Sequence, residues 1–183
     1  MNNYKFASAK DLLEHLELNG FCVKPPINVD SIANLLNIKV IYLVDNNNPH
    51  TIGKIEFDTV GPVITINPHE NSYEPRRRFT LAHEIAHFCM HSDKTSGFVD
   101  TRKEMSRNGA YWDTYESEAN TFAAQLLMPK TLIINEANRL ITNYKQEHNN
   151  EKIPSYYFLD QMSAVFNVSN PAMEYRLKNM GIL

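Results

Sequence analysis

The 183-residue chain contains no apolar run long enough to cross a bilayer. Its first residues, Met1 to Phe6, lack the basic region and apolar stretch of a secretory signal, so a cytoplasmic protein without membrane contact is expected. Cysteine is scarce: Cys22 and Cys89 stand far apart with no CxxC or Cys/His knuckle, and both read as reduced core thiols rather than a disulfide framework. An excess of charge of either sign is also lacking. A net charge of −3 and a pI near 6.2 give no global reason to expect direct contact with nucleic acid. Internal repeats are absent. What remains is a chain of 43% hydrophobic composition, enough to bury a core.

Periodicity divides the chain. Leu12, Leu13, Leu16 and Leu18 lie mostly on one helical face behind a Ser8 cap, with Gly20 as a stop, and Ile32, Ala33, Leu35 and Leu36 mark a second short helix. The β-branched run Ile38 to Val44 reads as a buried strand, and Ile52 to Phe57 with Pro62 to Asn67 reads as a hairpin. Beyond Tyr73 the period becomes helical to about Met90. Residues 92–113 show no sustained period and read as a long loop. Helices are then expected over Thr114 to Met128, 130–147 and 155–181, the last broken by a turn at Asn167 to Asn170 in the outline of a helix-turn-helix. The expected fold is α+β, with a small mixed or antiparallel sheet of about three strands packed on two helices. Residues 1–150 are read as one domain and 151–183 as a helical extension packed on it.

Chemistry concentrates in the first long helix. His83-Glu84-Ile85-Ala86-His87 places two imidazoles one turn apart on nearly one face, where both reach a single ion. Glu84 is rotated by about 100°, so its carboxylate lies beside the ion, positioned to take a proton from a zinc-bound water. Ile85, Ala86 and Phe88 draw the same helix into the core, and burying this polar trio is costly unless it binds something. These residues predict a zinc-dependent peptidase.

Two histidines need a third protein ligand. His91 continues the i, i+4 series but lies two turns, about 12 Å of rise, beyond His83. Asp93 follows His83 by ten residues, where some zinc peptidases place a third histidine, but Met90 stands where that turn needs glycine. On the next helix Phe122, Ala123, Leu126 and Leu127 mark the buried side, and Glu116 sits at its edge whereas Glu118 points nearly the opposite way. Small Ala119 and Ala123 favour close approach to the His83 helix, and Asn120, one turn after Glu116, is a candidate to orient a ligating histidine.

The segments Arg78-Phe-Thr-Leu-Ala-His-Glu-Ile-Ala-His87 and Glu116-Ser-Glu-Ala-Asn-Thr-Phe-Ala-Ala-Gln-Leu-Leu-Met-Pro129, behind the strand Ile64-Thr-Ile-Asn67, resemble the ImmA/IrrE metallopeptidases of bacteria, their mobile elements and phages. The resemblance runs over roughly residues 25–183. It implies a zincin-like fold, zinc on His83, His87 and Glu116, Glu84 as general base, and cleavage of a helix-turn-helix repressor. Members associated with toxin–antitoxin systems leave a second reading, a zinc-binding sensor or interaction module without proteolysis.

Asn67 and Arg78 are candidate substrate contacts. Arg76, Arg77 and Arg78 form the one dense basic cluster, suited either to an acidic substrate segment or to solvating a helix start. Tyr111, Tyr115 and His91 are candidate oxyanion donors. The Ile64 to Asn67 strand, taken as a sheet edge, would pair with an extended substrate. Residues 155–183 carry no net side-chain charge, which is poor for gripping phosphates.

Overall fold

A computed structural model describes residues 5–46, 48–57, 60–94, 96–101 and 114–183. Two short helices open the chain. In α1, Ala9–Leu18, Ser8 accepts a hydrogen bond from the Asp11 amide, and in α2, Val29–Leu35, Asn28 does the same for Ser31. These caps satisfy amides that the first helical turn leaves without partners.

Among the described residues the sheet has four strands: β1 (Lys39–Tyr42), β2 (Thr51–Phe57), β3 (Pro62–Ile66) and β4 (Gly97–Thr101), in the order β1-β3-β2-β4. β2 pairs antiparallel with both β3 and β4, while β1 runs parallel to β3. Two expectations are corrected here. The strand ending at Ile66 lies inside the sheet and offers no edge to a substrate; the edges are β1 and β4. The segment read as an unbroken loop over 92–113 contains β4, which is too short to announce itself by period.

Behind the sheet lie α3 (Glu74–His91) and α4 (Thr114–Leu127), followed by α5 (Lys130–Glu147), α6 (Ser155–Phe166) and α7 (Asn170–Asn179). Pro75 sits in the first turn of α3, where its missing N–H costs nothing. Alanines 82 and 86 on α3 and 119 and 123 on α4 are all buried, and such small residues let packed helices approach closely. Ile55, Ile64 and Ile66 from the sheet share one core with Leu81 and Ile85 of α3 and Leu126 of α4. Each such side chain, fully buried, contributes about 1.5–3 kcal/mol.

The tail joins that core through Phe158, Met162, Phe166, Met173 and Leu177. Asn167 turns the chain between α6 and α7 in the left-handed region, at φ 50°, which asparagine tolerates better than most residues. Arg78 ties this corner down. It is 5% exposed, donating from Nη2 to the Ile27 carbonyl at 2.8 Å and from Nε to the Asn167 carbonyl at 3.2 Å. Arg176 likewise donates to the Met128 carbonyl at 3.2 Å. Cys89 is buried and burial pushes its thiol up, but Cys22 is exposed, so only one of the two is a core thiol. Among the described residues no helix is long and apolar enough to cross a membrane.

Candidate metal centre

The helical repeat of α3 stacks His83 over His87, and their Nε2 atoms lie 3.0 Å apart. α4 crosses this face and delivers Glu116, whose Oε2 is 3.1 Å from His83 Nε2 and whose Oε1 is 3.2 Å from His87 Nε2. A fourth group comes from the sheet. Asp100 of β4 brings Oδ2 to 2.9 Å from His83 Nε2, and donor atoms of all four residues lie within 4.8 Å of one another. Asp100 was missed in the sequence because nothing in Gly97-Phe-Val-Asp-Thr101 marks a ligand. Its only signal is the alternation that puts Phe98 and Asp100 on one face.

β4 reaches the helix because β2 carries a bulge. Thr51 pairs with Thr101 and Gly53 with Asp100, leaving Ile52 as the extra residue. A buried amide network fixes this bulge. Asn67 donates to the carbonyls of Pro49 (3.0 Å) and Thr51 (2.9 Å), Asn71 donates to those of Ile52 and Asn67 (both 2.8 Å), and Thr80 of α3 donates to the Asn71 side chain at 2.6 Å. Asn67 and Arg78 are thus turned inward onto backbone carbonyls, bracing the fold where a substrate contact was expected. Arg77 is similarly engaged, with Glu74, Asp30 and Tyr42, which leaves Arg76 as the exposed member of the basic cluster.

Glu84 points between α3 and β2, fully buried. An added Cβ on Gly53 would stand 2.6 Å from its Oε1 and 2.7 Å from Thr80 Cγ2, so Gly53 makes room for this carboxylate. Gly53→Ala is expected to leave metal content unchanged, displace Glu84 and slow peptide cleavage by up to about 100-fold. Steady-state kinetics beside metal analysis checks this; cleavage at the parental rate would show that Glu84 has slack.

Electrostatics at the site is severe. Burial, joined by the Asp100 charge, pushes the Glu84 carboxyl well above its usual range. Burial pulls the His83 imidazole down, but Asp100 and Glu116 outweigh it and hold the ring well above its ordinary value. Burial also pushes Glu116 up, and its bonds to His83 and His87 reverse the sign and hold it low. His87 is lowered, chiefly by burial. Among the described residues, both oxygens of Glu84, Oδ1 of Asp100 and Nδ1 of His83 are sealed from water without a hydrogen-bond partner, and Asp100 Oδ2 meets only His83 Nε2. Buried carboxylates in that condition are costly, and a divalent cation among two imidazoles and two carboxylates removes the cost. The donor set fits a metal ion.

His87 is held from behind by His91, whose Nδ1 lies 3.1 Å from His87 Nδ1 and whose Nε2 lies 2.9 Å from Glu118 Oε2. With His87 Nε2 turned to the cluster, its Nδ1–H donates to His91, and His91 Nε2–H donates to Glu118. Both His91 nitrogens are therefore engaged. Asn120, expected to orient a ligating histidine, is half-buried and forms no hydrogen bond to His83 or His87 among the described residues; His91 takes that place. Phe98 stacks on His87 with centroids 4.1 Å apart, and the Tyr115 ring lies 4.8 Å from His91. Asp93 is at the surface, paired with Lys5 at 2.8 Å. Tyr111 lies outside the described residues. Beside Phe79, one turn before His83, opens a largely apolar cavity of about 740 Å³ with Arg76, Leu127 and Met128 in its walls.

Comparison with known proteins gives the family. Metallopeptidase ImmA of Bacillus subtilis (strain 168) is 24% identical over 152 residues, covering 83% of this chain and 78% of the relative. Uncharacterized immunity region protein 2 of Bacillus phage phi105 is 32% identical over 115 residues, covering 63% of this chain and 67% of the relative. The family profile described as the IrrE N-terminal-like domain, peptidase M78, matches residues 33–178. That span holds the sheet, both site helices and most of the tail, and the chain belongs to the peptidase M78 family of metallopeptidases.

Proposed function

We propose that the chain is a zinc-dependent endopeptidase with His83, His87 and Glu116 as metal ligands and Glu84 as general base. The observation that carries this is the convergence of His83 Nε2, His87 Nε2 and the Glu116 carboxylate at separations of 3.0–3.2 Å. Tetrahedral zinc bound by nitrogen and oxygen separates its donor atoms by roughly 3.3 Å, close to these spacings. When bound, the ion supplies a Lewis acid that polarises the scissile carbonyl and acidifies water.

The chain's own residues supply the rest. Glu84, sealed from bulk water, takes a proton from the attacking water and passes it to the leaving amine. His91 and Glu118 fix the orientation of His87. β4, at the sheet edge beside the site, is the strand along which an extended peptide would align, in place of β3. The apolar cavity beside Phe79 suits an apolar side chain of that peptide.

A helix-turn-helix repressor encoded beside the peptidase is the proposed substrate. The resemblance carried by the His83 and Glu116 motifs supports this choice, and the phage relative's immunity-region name is consistent with it. Direct DNA binding by the tail is disfavoured: Arg176 is desolvated on the Met128 carbonyl and Lys178 is paired with Glu174.

Incubating the purified protein with that repressor should yield discrete fragments that a chelator abolishes and added zinc restores. Persistent binding without a cut would favour the interaction-module reading. His83→Ala and Glu116→Gln are each expected to purify without stoichiometric zinc. Full zinc occupancy in either would remove that residue from the ligand set.

A further inference from the structure

Catalytic zinc sites hold the ion with three protein ligands and leave one position for water and substrate, whereas structural sites use four. This site presents four protein groups. Asp100 is 1% exposed, and its Oδ2 approaches His83 at Nε2, the atom that also faces His87 and Glu116. A carboxylate that merely oriented His83 would sit at Nδ1, which has no partner among the described residues. Among the described residues Asp100 Oδ1 has no hydrogen-bond partner and Oδ2 meets only the crowded His83 Nε2, which His87 and Glu116 already share, so the buried carboxylate is poorly compensated.

The strand that carries Asp100 is irregularly paired near its end. β4 lies at the sheet edge, and its ladder to β2 is interrupted by the Ile52 bulge directly beside the Gly53–Asp100 pair. Two residues earlier, Phe98 is anchored by stacking on His87. The ladder is thus locally disrupted at the Asp100 end of β4, while Gly97 to Val99 keep regular pairing with β2. Bulges commonly re-aim side chains beside active sites, and here the bulge aims Asp100 at the ion's position.

We propose that Asp100 is a fourth protein ligand that closes the metal site, keeping the peptidase latent until the end of β4 withdraws it. This rests on the ligand reading of His83, His87 and Glu116. Withdrawal frees one coordination position and removes a negative charge from beside Glu84. The same strand edge along which a substrate would align thus carries the group that blocks the reaction.

The test uses the full chain stripped of metal and reloaded with zinc or cobalt. Asp100→Asn is expected to bind zinc at least about tenfold more weakly in competition with a chromophoric chelator. It should also alter the visible cobalt spectrum and cleave fluorescein-labelled, unfolded casein faster than the parent. Unchanged affinity and spectrum would overturn the assignment, as would weaker binding with slower cleavage. Should Asp100→Asn fail to fold, azide added to the cobalt-loaded parent decides. A spectrum insensitive to azide supports a closed site, and azide binding overturns it. A His83→Ala protein that kept full cobalt binding would sink the underlying ligand reading instead, whichever way Asp100→Asn behaved.

Discussion

Glu84→Gln protein is expected to hold metal as the parent does and to cleave peptide about 10²- to 10⁴-fold more slowly. The two properties separate because Glu84 lies outside the convergent donor set and its oxygens face β2 across Gly53. Glutamine matches the shape of glutamate but cannot accept the proton of an attacking water. Folding should tolerate the change, since burial already pushes this carboxyl toward its neutral form and a neutral amide carries no charge to desolvate. Metal analysis, thermal melting and cleavage rates on one preparation test all three parts. Cleavage within tenfold of the parent, with metal in place, would remove Glu84 from the mechanism.

Arg78→Met should be the most damaging single change to stability outside the apolar core. Methionine keeps much of the length and the apolar contact but leaves the Ile27 and Asn167 carbonyls without their donor. Each hydrogen bond from a charged donor to a buried acceptor is worth about 1.5–3 kcal/mol, so a loss of roughly 3 kcal/mol is expected in urea unfolding. For a chain of this size that lowers Tm by roughly 6–12 °C. Arg77→Met provides the contrast. Its partners Asp30 and Glu74 have side chains about half exposed, and such pairs are worth about 0–1 kcal/mol. Equal losses for the two variants would show that Arg78 does not join α3 to the tail.

The contrast between these arginines also shows what a sequence can reveal. Three consecutive arginines look alike in one dimension. Only the fold distinguishes exposed Arg76 from Arg77 in a surface network and Arg78 beneath the α6–α7 corner. The pairing of His83 with His87 was legible because it is local, set by 3.6 residues per turn. Glu116 was legible because the apolar side of α4 could be read from Phe122, Ala123, Leu126 and Leu127, which fixes the side on which a ligand can lie.

Asp100 was not legible. Its place depends on an edge strand of five residues, on a bulge in β2 and on an asparagine network that starts at Asn67, none of which leaves a local pattern. Asn67 shows the same limit, because a buried asparagine bonded to backbone and a substrate-binding asparagine have the same appearance in a sequence. Cys22 was misread for a related reason, since apolar neighbours along the chain do not place a residue inside.

The line from His87 through His91 to Glu118 runs from the sealed interior to the surface. His87 is fully buried, whereas the Glu118 side chain is 50% exposed. The outermost link can therefore be altered without touching β4 or the convergent side chains of His83, His87, Asp100 and Glu116. Glu118→Gln would leave His91 a weaker acceptor at its far side, and Glu118→Ala none, so substitutions at this one surface position form a graded series. The orientation of the buried His87 ring becomes adjustable from outside the molecule, in steps.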